Sequence, residues 1–197
     1  MSSITSSSHS IPVMYDQYLG PILFENYAMD LVERIKNKKR DQVLELACGT
    51  GRATRHLSQL IPPGKRLIAT DLNPDMLAVA QTKVTETNIQ WQVADAQYLS
   101  FRDSSFDLVV CQFGVMLFPD KEKAFKEARR VLKNAGVFLF SVWDHIQTNP
   151  LSAKINKVIQ ETLGADAPDF LTQGPYSFYD QGAIRAGCWQ QVSAMCR

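Results

Sequence analysis

The stretch Val43-Leu-Glu-Leu-Ala-Cys-Gly-Thr-Gly-Arg52 joins a short apolar run to two glycines one residue apart. Val43–Leu46 has the length and the flanking turn residues of a buried strand. Gly49 and Gly51 give the backbone freedom for a tight turn. A helix follows over about Arg52–Leu60 and is ended by Pro62-Pro63-Gly64. Strand, glycine turn and helix in that order form the opening unit of an open parallel sheet, where ligands bind beyond the carboxyl ends of the strands.

The same alternation continues downstream. Arg66–Thr70 reads as a second strand. Asp71-Leu72-Asn73-Pro74 is a turn into a helix with Met76, Leu77, Ala80 and Val84 on one face. Ile89–Val93 is a third strand, and Phe106–Cys111 a fourth, continuously apolar one. Lys121–Lys133 is an amphipathic helix carrying Phe125, Ala128, Val131 and Leu132, and Val137–Val142 is a fifth strand. Strands and helices alternating at this spacing predict βαβ crossovers and a parallel sheet with helices on both faces. Upstream, Pro21 suits the first turn of a helix. Phe24, Tyr27, Ala28, Leu31, Val32 and Ile35 follow at helical spacing, closed by the basic run Lys36, Lys38, Lys39 and Arg40. Residues 1–14 read as a flexible, serine-rich leader, and residues 15–197 as one domain whose character changes from about Gly164, where prolines and glycines replace strand-like runs.

Composition narrows the function. The chain has 197 residues, 45% hydrophobic and 21% charged, with a net charge of +1. Near-neutral charge disfavours nucleic acid and polybasic membrane binding. No apolar run approaches the roughly 20 residues that cross a bilayer. Cys48, Cys111, Cys188 and Cys196 form no C-x-x-C pair, so no metal site is expected, and free thiols in a reducing cytoplasm are the simplest reading.

Acids stand after each of the next two strands. Asp71 lies 20 residues beyond Gly51 and suits two ribose hydroxyls, because a carboxylate accepts from both. Asp95 follows the third strand. These residues carry a resemblance. Val43–Arg52 resembles the first motif of the class I S-adenosylmethionine-dependent methyltransferases, and Ala69-Thr-Asp-Leu-Asn-Pro-Asp-Met-Leu77 resembles the second. Val93-Ala-Asp-Ala96 is similar to the third, Ser105–Phe113 to the fourth-strand motif, and Ala128–Val137 to the segment leading into the fifth strand. The lead-in Tyr15-Asp-Gln-Tyr-Leu-Gly20 resembles the small-molecule branch near enzymes that methylate quinone precursors.

The resemblance implies a Rossmann-like, doubly wound sheet, S-adenosylmethionine as cofactor and a small-molecule acceptor. It places Gly49 and Gly51 under the methionine part, with Ala47 in the same turn and Glu45 pointing toward the amino group. Asp71 would hold the ribose, Leu72 and Met76 would flank the adenine, and Asp95, with Ala96 beside it, would meet the adenine amino group. Gln112 and Phe113 would line the transfer site, and Tyr15 and Tyr18 would fold over it. Candidate catalytic groups are Asp144 and His145, after the fifth strand, and Tyr18. His145 is able to take a proton near neutral pH.

Two alternatives stay open. A nicotinamide-dependent oxidoreductase also uses a glycine turn and a ribose acid, although Thr54 stands where its third glycine belongs. A non-catalytic cofactor-binding or scaffold protein is the other. The family sheet has seven strands, yet after Ala183-Ile-Arg-Ala-Gly187 the sequence shows no pair of β-rich runs, so the last two strands are expected to be missing. Val137–Trp143 would then be an exposed apolar edge open to self-association.

Overall fold

In a computed structural model, which describes residues 10–164 and 167–191, the apolar run of the opening motif is strand β1, Gln42–Glu45. It pairs in parallel with β2 (Arg66–Asp71) on one side and β4 (Phe106–Gln112) on the other. β3 (Ile89–Val93) extends the sheet beyond β2, and β5 (Leu132–Ser141) beyond β4. The described residues thus form a five-stranded, all-parallel sheet in the order β3-β2-β1-β4-β5. The chain first builds outward from β1 through β2 to β3, then returns to the other side of β1. The reversal at β1/β4 opens a crevice at the carboxyl ends of those strands.

Side chains alternate across the sheet, and each set has its own helical cover. Val43, Leu67, Leu108 and Val110 face a core with α2 (Glu25–Ile35) and α3 (Arg52–Leu60), through Ala28, Leu31, Ile35, Ala53 and Leu57. Leu44, Leu46, Val109 and Cys111 face α5 (Lys121–Val131), through Ala124, Phe125 and Ala128. α4 (Pro74–Lys83) covers β2 and β3, with Leu77 against Ala69. Its start follows from Pro74 in the first turn and from the Asn73 side chain, which accepts the Asp75 N–H at 2.9 Å. Such a cap contributes about 1 kcal/mol.

The structure departs from the sequence reading in several places. Ser10–Met14 is helical (α1), five residues ahead of the expected start at Tyr15. Pro21 does not open a helix. It lies inside a π-helical stretch, Tyr15–Phe24, that runs on into α2. In the five-residue register, shown by the Glu25 N–H donating to Gly20 O, the N–H that would reach Asp16 O belongs to position 21. Proline has none, and Arg52 Nη2 donates to that carbonyl instead, at 2.6 Å. The helix expected to reach Lys133 ends at Val131, and β5 begins at once. The pairing with β4 slips between Phe106 and Leu108, where Ala135 turns through a left-handed φ of 62°. After β5 the described chain is helical: α6 (Pro150–Leu163), α7 (Phe170–Gln173) and α8 (Gln181–Gln191).

The edge expected to be exposed is covered on its faces. Phe138 and Trp143 are buried and Val137, Leu139 and Phe140 are half-buried, partly by Phe178 and Ile184, which pack on the α5 side. What remains open among the described residues is the backbone rim of β5, which pairs only with β4.

Candidate functional site

β1, β2, β3 and β4 each deliver residues to the crevice because all four run the same way, β1 ending two residues before the level at which β2 and β4 end. The register pairs Glu45 with Ala69 and with Val110, and Asp71 with Val93. Beyond β1 the backbone turns through three left-handed residues in five: Ala47 (φ 51°), Gly49 (56°) and Gly51 (83°). For Ala47 this conformation costs about 1–2 kcal/mol. It is held by the Leu46 N–H donating to Val110 O (2.8 Å) and the Cys48 N–H donating to Thr70 O (2.9 Å). The two glycines do different work. A Cβ on Gly49 would meet nothing within 4 Å, so this backbone stands open to the crevice. A Cβ on Gly51 would lie 3.1 Å from Ala80 Cβ and Val84 Cγ2, so Gly51 lets α3 approach α4 and does not line the cavity.

The crevice has two chambers. The larger, about 300 Å³, is lined by Asp71, Leu72, Met76, Asp95, Ala96 and Phe113 among others. The smaller, about 40 Å³, is lined by Glu45, Cys48, Thr50, Arg52 and Phe24. Tyr15, Ala47, Gly49 and Gln112 border both. Eleven of the twelve cofactor residues expected from sequence therefore line one connected site, Gly51 being the exception.

The electrostatics of the two chambers differ. Glu45 is 1% exposed, and among the described residues its Oε2 has no well-formed hydrogen bond, nor has Thr54 Oγ1, although the Thr54 hydroxyl is near enough to favour the ionised carboxylate. Burial, reinforced by the nearby charge of Asp71, pushes the Glu45 carboxyl up to about 8. An unpaired buried acceptor of this kind is costly, and it fits a cationic group arriving in the small chamber. Asp71 is already oriented: Oδ2 accepts the Gly49 N–H at 2.8 Å and Oδ1 the Asn73 N–H at 2.9 Å. Burial pushes its carboxyl above the usual range, against those backbone donors. Each oxygen keeps a second lone pair for a hydroxyl. Asp95 is fixed by Gln97, whose N–H (2.8 Å) and side-chain amide (3.0 Å) both donate to Oδ1. Burial, then the charge of Asp71, pushes the Tyr15 phenol up to about 12, so it stays neutral.

At the β4 end, Phe113 adopts a left-handed φ of 53°. Its N–H donates to Ser141 O at 3.1 Å. The following Gly114 lies so close to the turn that a Cβ there would be 2.5 Å from Ala47 Cβ and 2.7 Å from Cys111 Sγ. The Phe113 ring stacks on Trp143 (4.1 Å, 7°), and Tyr27 meets both rings edge-on.

Three expected catalytic residues lie outside the cavity lining. Tyr18 is 57% exposed on the outer side of the π-helical stretch, because the wide turn carries it away from Tyr15. Asp144 accepts the His145 N–H at 2.7 Å. His145 Nδ1 accepts the Gln147 N–H at 3.3 Å and the ring meets Tyr179 edge-on, so both close a short turn after β5. Conversely, sequence reasoning missed Asp16, Thr54, Gln97, Gly114, Leu117 and Phe118. Only Asp16 had a signal: it is the single charged residue between Ser10 and Phe24, and it is buried.

The methyltransferase-domain family matches residues 44–140. The ubiquinone/menaquinone biosynthesis C-methyltransferase UbiE of Teredinibacter turnerae is 36% identical over 172 residues, 80% of this chain and 68% of that protein. The demethylmenaquinone methyltransferase of Lactobacillus johnsonii is 37% identical over 108 residues, 53% of this chain and 44% of that protein. The chain spans about half the length of several such relatives. Among solved structures, Haemonchus contortus phosphoethanolamine N-methyltransferase 2 in complex with S-adenosyl-L-methionine superposes with a TM-score of 0.70 at 20% identity, covering 96% of this chain and 42% of that one. At that identity the likeness shows the fold.

Proposed function

Since the chain belongs to the class I S-adenosylmethionine-dependent methyltransferases, related to the quinone-biosynthesis types, we propose that it transfers a methyl group from S-adenosylmethionine to a small-molecule acceptor. The observation that carries the proposal is the buried Glu45 Oε2 of the small chamber, without a hydrogen-bond partner among the described residues, together with Asp71 and Asp95 in the adjoining large one. Glu45 is the partner for the cofactor's ammonium, Asp71 for the ribose hydroxyls and Asp95 for the adenine amino group, with Leu72, Met76 and Phe118 as its apolar walls. The bound cofactor supplies a methyl already activated by its sulfonium. The chain has to align an acceptor and exclude water, and positioning of this kind is worth about 7–11 kcal/mol of barrier. Gln112 and Phe113 stand at that end of the site; a base is needed only where the acceptor is a hydroxyl or an acidic carbon that loses its proton on methylation, and Asp144, His145 and Tyr18 lie outside the cavity lining.

Phe24 and Phe113, which line the two chambers and pack on Trp143 behind them, support an apolar ring compound as acceptor, in keeping with the quinone precursors named for the relatives. Two buried free thiols, Cys48 and Cys111, support a reducing cytoplasm, and the unpaired rim of β5 supports pairing of two copies. No described helix is long and apolar enough to cross a membrane. The test is mass spectrometry of a metabolite extract incubated with protein and cofactor carrying a deuterated methyl. A labelled apolar metabolite is expected. Absence of labelling together with no thermal shift from S-adenosylhomocysteine overturns the proposal.

A further inference from the structure

The small chamber is roofed by Tyr15 and Phe24, which belong to the π-helical stretch and not to the sheet. At about 40 Å³ it has room for a few water molecules and not for the amino-acid end of a methionine. That stretch is held at its end by Gln112 Nε2 donating to Phe24 O at 2.9 Å, and near its start by a single carboxylate. Asp16, 2% exposed, accepts the Thr50 hydroxyl at 2.7 Å and Arg52 Nε at 3.1 Å, and is bonded by the Lys83 ammonium. Thr50 and Arg52 flank Gly51 in the glycine turn, and Lys83 ends α4, so one carboxylate ties the roof to both sides of the site.

The fastening is a built socket. Pro21 leaves Asp16 O without its helical donor, and Arg52 Nη2 fills that place at 2.6 Å. Gly20 leaves the space: a Cβ there would stand 2.5–2.7 Å from the guanidinium. Arg52 Nη1 reaches on to Glu25 at 3.0 Å. Proline and glycine both weaken a helix, and here they stand side by side where the guanidinium enters. Among the described residues nothing comparable holds the outer side of the stretch, where Tyr18 and Ile22 are exposed.

We propose that Tyr15–Phe24 is a strap that lifts off the glycine turn to admit and release the amino-acid end of the cofactor, and that Asp16 is the positioning residue whose latch on Thr50, Arg52 and Lys83 sets the rate of that motion. The inference rests on the cofactor reading above. It separates two parts of one ligand: the nucleoside occupies the large chamber, which the strap borders only through Tyr15, whereas the amino-acid end lies beneath it.

The test compares release of S-adenosylhomocysteine with release of methylthioadenosine, which has the nucleoside but no amino-acid end. Both are followed by stopped flow on the full chain, with Trp143, packed against Phe24, as the reporter. Asp16→Asn and Gly20→Ala are each expected to speed S-adenosylhomocysteine release at least fivefold and to leave methylthioadenosine release within twofold of wild type. Equal acceleration of both ligands, or of neither, overturns the strap. Hydrogen exchange on the wild-type chain gives a readout that needs no variant. Backbone amides of residues 15–24 are expected to be protected by S-adenosylhomocysteine and not by methylthioadenosine, and identical protection by both overturns the inference. A wild-type chain that binds neither ligand overturns the cofactor reading and the strap with it.

Discussion

Replacing Glu45 with glutamine removes a carboxyl that the fold keeps protonated near neutrality. In the cofactor-free chain burial pushes it up to about 8, so at pH 6.5 nearly every molecule carries the proton. An ammonium entering the small chamber stabilises the ionised form, and nearly one proton is then released per cofactor bound. The cofactor's own amino group, near the usual 7.7–8.0 of an α-amine, keeps its charge at that pH. Below pH 8 the apparent affinity should therefore rise by about tenfold per pH unit. The other titratable groups facing Glu45 are Tyr15, Cys48, Cys111 and Asp71, with the Arg52 cation across the chamber. Burial pushes both thiols up, Cys111 to about 12, and the Tyr15 phenol to about 12, so these three stay silent. Asp71 is also raised by burial and is the reason the variant is needed as a control. Calorimetric titration with S-adenosylhomocysteine at pH 6.5, in buffers of different ionisation enthalpy, counts the protons. Nearly one is expected for wild type and almost none for Glu45→Gln, with the Kd of wild type falling about tenfold between pH 5.5 and 6.5. A wild-type count near zero, or the same count in the variant, refutes the pairing of Glu45 with the ammonium. The same shift fixes a sign for stability. The native carboxyl holds its proton more tightly than the unfolded one, whose ordinary value is 4.5. Its contribution is therefore fully present below about 4.5 and is lost as pH rises to about 8, by at most about 1.4 kcal/mol per pH unit.

Three further outcomes are expected. Gly114→Ala drives a methyl into Ala47 and Cys111 and should cost about 1–3 kcal/mol, read as a lower urea midpoint, with S-adenosylhomocysteine binding weakened because Ala47 borders both chambers. Asp71→Asn removes a charged acceptor and should weaken S-adenosylhomocysteine binding by 1.5–3 kcal/mol, about 10- to 150-fold, while far-ultraviolet circular dichroism stays unchanged; an unaltered Kd would remove Asp71 from the ribose. Leu57→Ala, at a site with no exposure, should cost about 2–5 kcal/mol in chemical denaturation with little change in the Kd of the folded fraction.

The parallel sheet was legible because its signals are short-range. β3 falls on Ile89–Val93 and α3 on Arg52–Leu60, as the periodicity and flanking turns predict. The glycine turn and the acids after β2 and β3 are likewise local patterns, and strands paired in parallel carry such residues to one edge. Predictions at the ends of elements fared less well. The helix carried to Lys133 stops at Val131, because pairing with β4 begins at Leu132 and outweighs helix propensity there. The candidate bases after β5 looked well placed on strand order alone, yet Asp144 and His145 are consumed by a local turn.

The sequence by itself determined the order of strands and helices, the acid-bearing strand ends and the position of the tight turn, since each follows from side-chain period or backbone freedom within a few residues. The tertiary structure alone decided that Gly51 serves helix packing, that Pro21 lies inside a helix, and that Asp16 meets Arg52 across 36 residues of chain. Those outcomes depend on which distant surface arrives to fill a gap or take an unbonded carbonyl, and no local pattern carries that information.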